Sequence, residues 1–223
     1  GLPNKEISEI LGVPVRTPVR GEKRDLLAMA HENAQLSLDE KFRLLEMDQS
    51  KTTGAMKEIT DALGLPEGHR IEAFDHSHIQ GADPVSAMVV FINGEPAKNF
   101  YRKYKLKTVI NHADEAASTR EVIRRRYSRL LKENKPMPDM IFMDGGEIQM
   151  DAAKDVLENE LGLEIPVVGM VKNDKHQTAD LLFGDDDHHI NLNPRSQGFY
   201  LVQRIQDEVH RFAITFHRRV HTK

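Results

Sequence analysis

The rhythm of apolar and polar positions changes several times along the 223 residues. Residues 1–20 set valine beside proline twice, at Val13-Pro14 and Pro18-Val19. That predicts extended backbone, because proline has no N–H to donate and biases the residue before it away from helix. From Arg24 to about Leu63 there is no proline, and Leu26, Leu27, Ala30, Ala34, Leu38, Phe42, Leu45 and Ile59 recur at helical spacing, with Gly54 as the expected break. Gly64, Pro66 and Gly68 stop this pattern. They are expected to divide an N-terminal extended and helical segment, residues 1–66, from a larger domain, residues 67–223.

Past that boundary the pattern is mixed. Arg70–Asp75 and Val85–Ile92 read as strands, and Asn93-Gly94 is a strong hairpin signal leading into a third strand over Pro96–Leu106. A proline-free stretch from Ala113 to Leu131 opens on acids and ends in arginines, the order a helix dipole favours. Met140–Met143 and Pro166–Val171 are short apolar runs of the kind buried in parallel sheets, separated by a helix over Ile148–Leu161. Ala179–Phe183 and His189–Leu192 read as a small hairpin, and Gly198–Val220 as a long closing helix with Val202, Ile205, Val209, Phe212 and Phe216 on its core stripe. An antiparallel meander followed by two parallel strands with helical crossovers is the order of an RNase H-like α/β fold, a mixed five-stranded sheet with flanking helices. Right-handed crossovers put the fourth strand beside the first and bring Asp75 near Asp144.

Composition narrows the chemistry. There is no cysteine, which excludes disulfides, thiolate metal sites and a cysteine nucleophile in these residues. No apolar run reaches the ~18 residues of a membrane span, and the mean hydropathy is -0.53, so the chain reads as soluble and intracellular. Gly1 at the start hints at a fragment. The net charge of -4 conceals blocks: -6 over residues 1–95, +8 over 96–135, -10 over 136–189 and +4 over 190–223. Such blocks serve as solvated faces, or as a basic track beside an acidic centre that attracts cations.

Three motifs converge in the expected topology. Asp75 ends an apolar strand, Asp144 follows Ile141-Phe142-Met143 and precedes two glycines, and His210 lies on the flank of the closing helix's core stripe. Each has an ordinary reading as a strand-end acid, a turn and a half-buried histidine. Together, two carboxylates and an imidazole suit Mg2+ or Mn2+ with positions left for phosphate oxygens and water. Asp114 can serve as a fourth ligand or as a helix N-cap. Arg102 and Lys103, interleaved with aromatics, and Arg124 in a helix suit phosphate neutralisation, as do Lys172 and Lys175 after the last parallel strand.

These stretches also carry a resemblance. Arg20–Arg24, Phe74–Gly81, Arg120–Tyr127, Met143–Gly146, Lys172–His176 and the long run Arg204–Arg218 together resemble the C-terminal half of the UvrC family, incision subunits of bacterial UvrABC excision nucleases. The resemblance covers nearly the whole chain. It implies an RNase H-like endonuclease that makes the 5′ incision beside a lesion in nucleotide excision repair, with Asp75, Asp144 and His210 as its site and Mg2+ or Mn2+ as cofactor. It implies Asp114 as a further acid, and Arg211 among the DNA contacts. Damaged double-stranded DNA and UvrB are the implied partners, UvrB mainly through parts outside this chain, and a monomer in the bacterial cytoplasm is expected. The family's GIY-YIG nuclease and helix-hairpin-helix module are not among these residues, which predicts weak autonomous DNA binding. A nucleotide-binding module or a non-catalytic scaffold of the same fold is the alternative.

Overall fold

The structure, a computed structural model, describes residues 22–77, 83–107, 114–173, 178–185 and 188–221. The extended segment expected over residues 1–20 lies outside them. By its contacts the chain divides into two compact units, residues 1–49 and 50–223. Most of helix α1, Glu22–Lys51, belongs to the first. It contains no glycine or proline and carries side-chain bonds one turn apart, such as Gln35 to Asp39. Among the described residues no helix is long and apolar enough to cross a membrane.

The second unit begins with α2, Thr53–Leu63, after a break at Thr52, two residues before the glycine expected to make it. Gly64 ends α2 with φ 67° and returns its N–H to Asp61. The strands follow as β1, Arg70–Ser77, β2, Val85–Ile92, β3, Glu95–Pro96, and β4, Arg102–Lys105. Next come α3, Glu115–Lys132, β5, Met140–Met143, and α4, Glu147–Asp155, which continues as a π-turn over Val156–Glu160. The chain closes with β6, Val167–Lys172, β7, Thr178–Phe183, β8, His188–Ile190, and α5, Gln197–His221.

All strands join one mixed sheet in the order β3-β2-β1-β5-β6-β7-β8, with β4 also paired to β2. The meander and the two parallel crossovers stand as the sequence predicts, and β5 lies parallel to β1. The expected five strands become eight for two reasons. Pro96 cannot donate to the ladder, so the third strand splits; the pairing with β2 shifts by three residues across a 3-10 turn at Lys98–Phe100. The β7–β8 hairpin, rather than standing apart, extends the sheet by pairing with β6. Asn93 and Gly94, at φ 53° and 81°, make the tight turn after β2. A Cβ on Gly94 would fall 2.5 Å from the Thr52 carbonyl.

Alternation along β1 sorts its residues onto two faces. Ala73 and Asp75 face α5, which packs in turn on α2; buried residues of the two helices include Ile59, Leu201, Val202, Ile205 and Val209. Glu72, Phe74 and His76 face α3, where Phe74 meets Tyr127 edge-on at 6.2 Å. Glu72 is fully buried. It accepts from Tyr127 at 2.8 Å, from Arg126 through two nitrogens at 3.2 and 3.0 Å, and from Arg70 at 3.0 Å. A buried carboxylate persists when its lone pairs are filled by such donors. His76 spans the same layer, with one ring nitrogen 3.0 Å from Ser86 Oγ and the other 2.8 Å from Thr119 Oγ1.

Breaking that pair by Arg126→Met is expected to cost about 3 to 5 kcal/mol in urea unfolding, because the Glu72 charge stays buried. Arg129→Met, which breaks an exposed pair with Glu133 on the same helix, should leave the midpoint unchanged. Equal effects would show that burial does not set the value of these pairs.

Candidate active site at the ends of the parallel strands

The register of β1 against β5 builds the site. Phe74 pairs with Met143, and Asp144 N–H donates to Phe74 O at 3.0 Å, so the next residues, Asp75 and Asp144, stand side by side. Alternation puts both on the α5 face with Ala73 and Phe142. Glycines let the neighbouring backbone close in: a Cβ on Gly169 of β6 would lie 2.6 Å from Met150 Sδ and 3.1 Å from Gly145 O. The loop after Asp144 and helix α4 therefore pack directly onto β6.

Both carboxylates are withdrawn from water, with side-chain exposures of 12% for Asp75 and 1% for Asp144. Lys172, at the end of β6 beside a register shift, reaches Asp144 with Nζ 2.9 Å from Oδ1 and 3.0 Å from Oδ2. Its hydrogen-bond geometry is met at Oδ2 alone. Asp144 Oδ1 is buried, and among the described residues the Lys172 ammonium is its charge partner. From α5, His210 Nδ1 comes within 3.3 Å of Asp75 Oδ2, while the ring stays exposed. Burial, then the neighbouring Asp144 charge, push the Asp75 carboxyl up to about 7, against the opposing pull of Lys172 and His210.

The donor set fits a divalent cation. Two adjacent carboxylates withdrawn from water disfavour each other's charge, and a bound divalent cation would relieve that. Among the described residues no three His, Asp or Glu side chains are arranged as a ready metal cluster. Lys172 supplies the positive charge at Asp144.

The other candidates divide. Asp114 caps α3, accepting from Ala117 N–H at 3.0 Å, and does not join the pair. Lys103 shares the site's face through the register Lys103, Ala87, Asp75, and its ammonium lies 4.2 Å above the Phe212 ring of α5. Arg102, one residue away, falls on the opposite face and donates to the Asn99 and Tyr101 carbonyls. Arg124 forms a two-point pair with Glu160 at 3.0 and 2.9 Å in the α3–α4 layer, on the other side of the sheet. Arg211 is exposed beside His210 and pairs with Glu208. Lys175 lies outside the described residues. Sequence reasoning treated Lys172 as a phosphate contact and missed its ion pair with Asp144; the strand alternation Phe142, Asp144 against Met170, Lys172 was the available signal.

Comparison with known proteins gives a consistent family. Residues 60–214 match the model of the UvrC RNAse H endonuclease domain, and residues 3–41 match that of the UvrC ribonuclease H-like domain. The whole chain is 86% identical to the UvrABC system protein C of Limosilactobacillus fermentum and 74% identical to that of Pediococcus pentosaceus. It spans 37% of the length of each of these curated relatives. Solved structures with some likeness include the catalytic domain of human endonuclease V, with a TM-score of 0.42 and 10% identity over 81% of this chain and 97% of that one. Another is endonuclease V from Bacillus subtilis, with a TM-score of 0.38 and 13% identity over 67% of this chain and 82% of that one.

The raised Asp75 has a signed consequence for the protein in chelator. Between its ordinary value of 3.8 and about 7, the unfolded chain releases a proton that the folded chain keeps. Stability therefore falls as pH rises through this window, by about 4 kcal/mol at most. Asp75→Asn removes this loss. The variant should match the parent near pH 4 and exceed it in urea midpoint at pH 8; parallel pH profiles would contradict the assignment.

Proposed function

This chain belongs to the UvrC RNase H endonuclease domain family, and on that premise we propose that it is a metal-dependent DNA endonuclease domain making the 5′ incision in bacterial nucleotide excision repair. The observation that carries the reading is the buried Asp75–Asp144 pair with His210 hydrogen-bonded to one member. Its substrate is damaged double-stranded DNA, delivered with UvrB in the bacterial cytoplasm, and its cofactor is Mg2+ or Mn2+.

Asp75 and Asp144 would hold the cation, with the His210 ring beside them as a nitrogen donor or proton carrier. Bound there, the cation supplies Lewis-acid polarisation of the phosphate and makes water more acidic. The chain's own groups do the rest. His210 is oriented by Asp75 at Nδ1, which leaves Nε2 to pass a proton to the departing 3′ oxygen. The attacking water oxygen bonds to phosphorus and gives up its proton to solvent as the P–O3′ bond breaks, and the products are a 5′-phosphate and a 3′-hydroxyl. Lys172 and Lys103, on the same face, offer positive charge to the non-bridging oxygens. Packing of α5 over the sheet keeps the carboxylates out of bulk water, which strengthens each of these interactions.

In a complete excision nuclease carrying this domain, Asp75→Asn or Asp144→Asn should lower 5′ nicking of a lesion-bearing duplex by about 100-fold or more, with 3′ incision retained. Parental 5′ cutting by either variant would leave the domain a non-catalytic scaffold.

A further inference from the structure

Asp144 is the most buried acid of the site, yet its charge is not left alone. It is met by a side chain from the next strand, and that side chain is a cation. Lys172 Nζ sits between the two oxygens at 2.9 and 3.0 Å, in the position where positive charge is most needed. From this geometry we propose that Lys172 is a built-in competitor of the divalent cation, which holds Asp144 in the cation-free protein and must yield it before the cation binds.

Three observations support the assignment. The lysine is the only side chain among the described residues with a hydrogen bond or ion pair to the Asp144 carboxylate. The contact is one that can be given up, since the Lys172 side chain is 36% exposed and its flexible stem springs from the strand end, beside the register shift between Val171 and Lys172. A tightly bound structural lysine would be enclosed, as Arg126 is at 12% exposure against Glu72. Finally, one ammonium is shared by the two oxygens of Asp144, at 2.9 and 3.0 Å, and it meets only one of the two adjacent carboxylates. A small cation that coordinates both carboxylates can satisfy what one ammonium does not.

The consequence is a threshold. In the absence of cation Lys172 offsets one of the two carboxylate charges. Cation binding must break the ion pair, so the apparent affinity of the site is lower than its two carboxylates alone would give. The released ammonium is then exposed at the lip of the site, where a phosphate oxygen can accept from it.

The proposal rests on the reading of Asp75 and Asp144 as the cation site, and the experiment separates the two. Mn2+ binding to the 223-residue chain is measured by calorimetry at pH 8 for the parent, Lys172→Met, Lys172→Arg and Asp144→Asn. Removing the competing charge in Lys172→Met should tighten Mn2+ binding by about tenfold or more, since a like charge a few ångströms from a divalent ion opposes it strongly. Lys172→Arg keeps the charge and should stay within about threefold of the parent. As a second readout, Mn2+ should raise the melting temperature of Lys172→Met more than that of the parent, because the cation binds the folded state more tightly there. Unchanged or weaker Mn2+ binding by Lys172→Met, with Asp144→Asn abolishing it, overturns the competitor role alone. Parental binding by Asp144→Asn overturns both readings.

Discussion

Everything at the site follows from one residue of register between two parallel strands. Phe74 pairs with Met143, and the carboxylates that come next are thereby forced together on one face of the sheet. A slip of one position would turn one of them to the opposite face, under α3. The cost of holding two acids side by side and out of water is large, and the fold meets it with cationic or hydrogen-bonding groups from separate elements: Lys172 from β6 and His210 from α5. The parallel crossovers that create the register also deliver β6, so the acid pair and its counter-charge are products of the same topology.

The two faces of β1 show the difference between an acid that stabilises and an acid that is poised. Glu72, three residues before Asp75 and on the opposite face, is fully buried but accepts from Arg126, Tyr127 and Arg70. Asp75 is nearly as buried, faces another carboxylate, and has a single 3.3 Å contact to an exposed imidazole. Burial and Asp144 push its carboxyl upward, against Lys172 and His210. Within one strand the first carboxylate is satisfied and the second is not, which distinguishes the α5 face as the one that holds a poised acid.

Much of this was legible in the sequence because it depends on local rules. The Asn93-Gly94 turn, the apolar runs of β5 and β6 and the handedness of crossovers together predict that Asp75 meets Asp144, and the stripe of α5 predicts His210 on its flank. What could not be read depends on partners distant along the chain. Pro96 reads equally as a strand's first residue or as its interruption, and the three extra residues before Arg102 become visible only once β2 fixes the pairing. The three consecutive arginines of α3 read as a basic patch. Their acids, Glu160, Glu121 and Glu72, lie 36, 4 and 54 residues away, and the distant two are brought in by tertiary packing. Glu72 inside the apolar run Ile71–Phe74 was the one clue that such a partner was needed.

The same pairing revises what the charge blocks mean. The +8 stretch contains α3, but Arg124, Arg125 and Arg126 are each engaged with a carboxylate on the side of the sheet away from Asp75. Their charge is compensated where it stands, and paired charges reach only weakly across a sheet in salt solution. Positive charge at the acid pair comes instead from Lys172 on β6, while Lys103 on β4 shares that face of the sheet and is held over Phe212. Alternation excludes Arg102 from that set although it is adjacent in sequence. The +8 of the basic block therefore records the ion pairs that pack α3, and the charge at the acid pair is set by a lysine that strand alternation brings to that face.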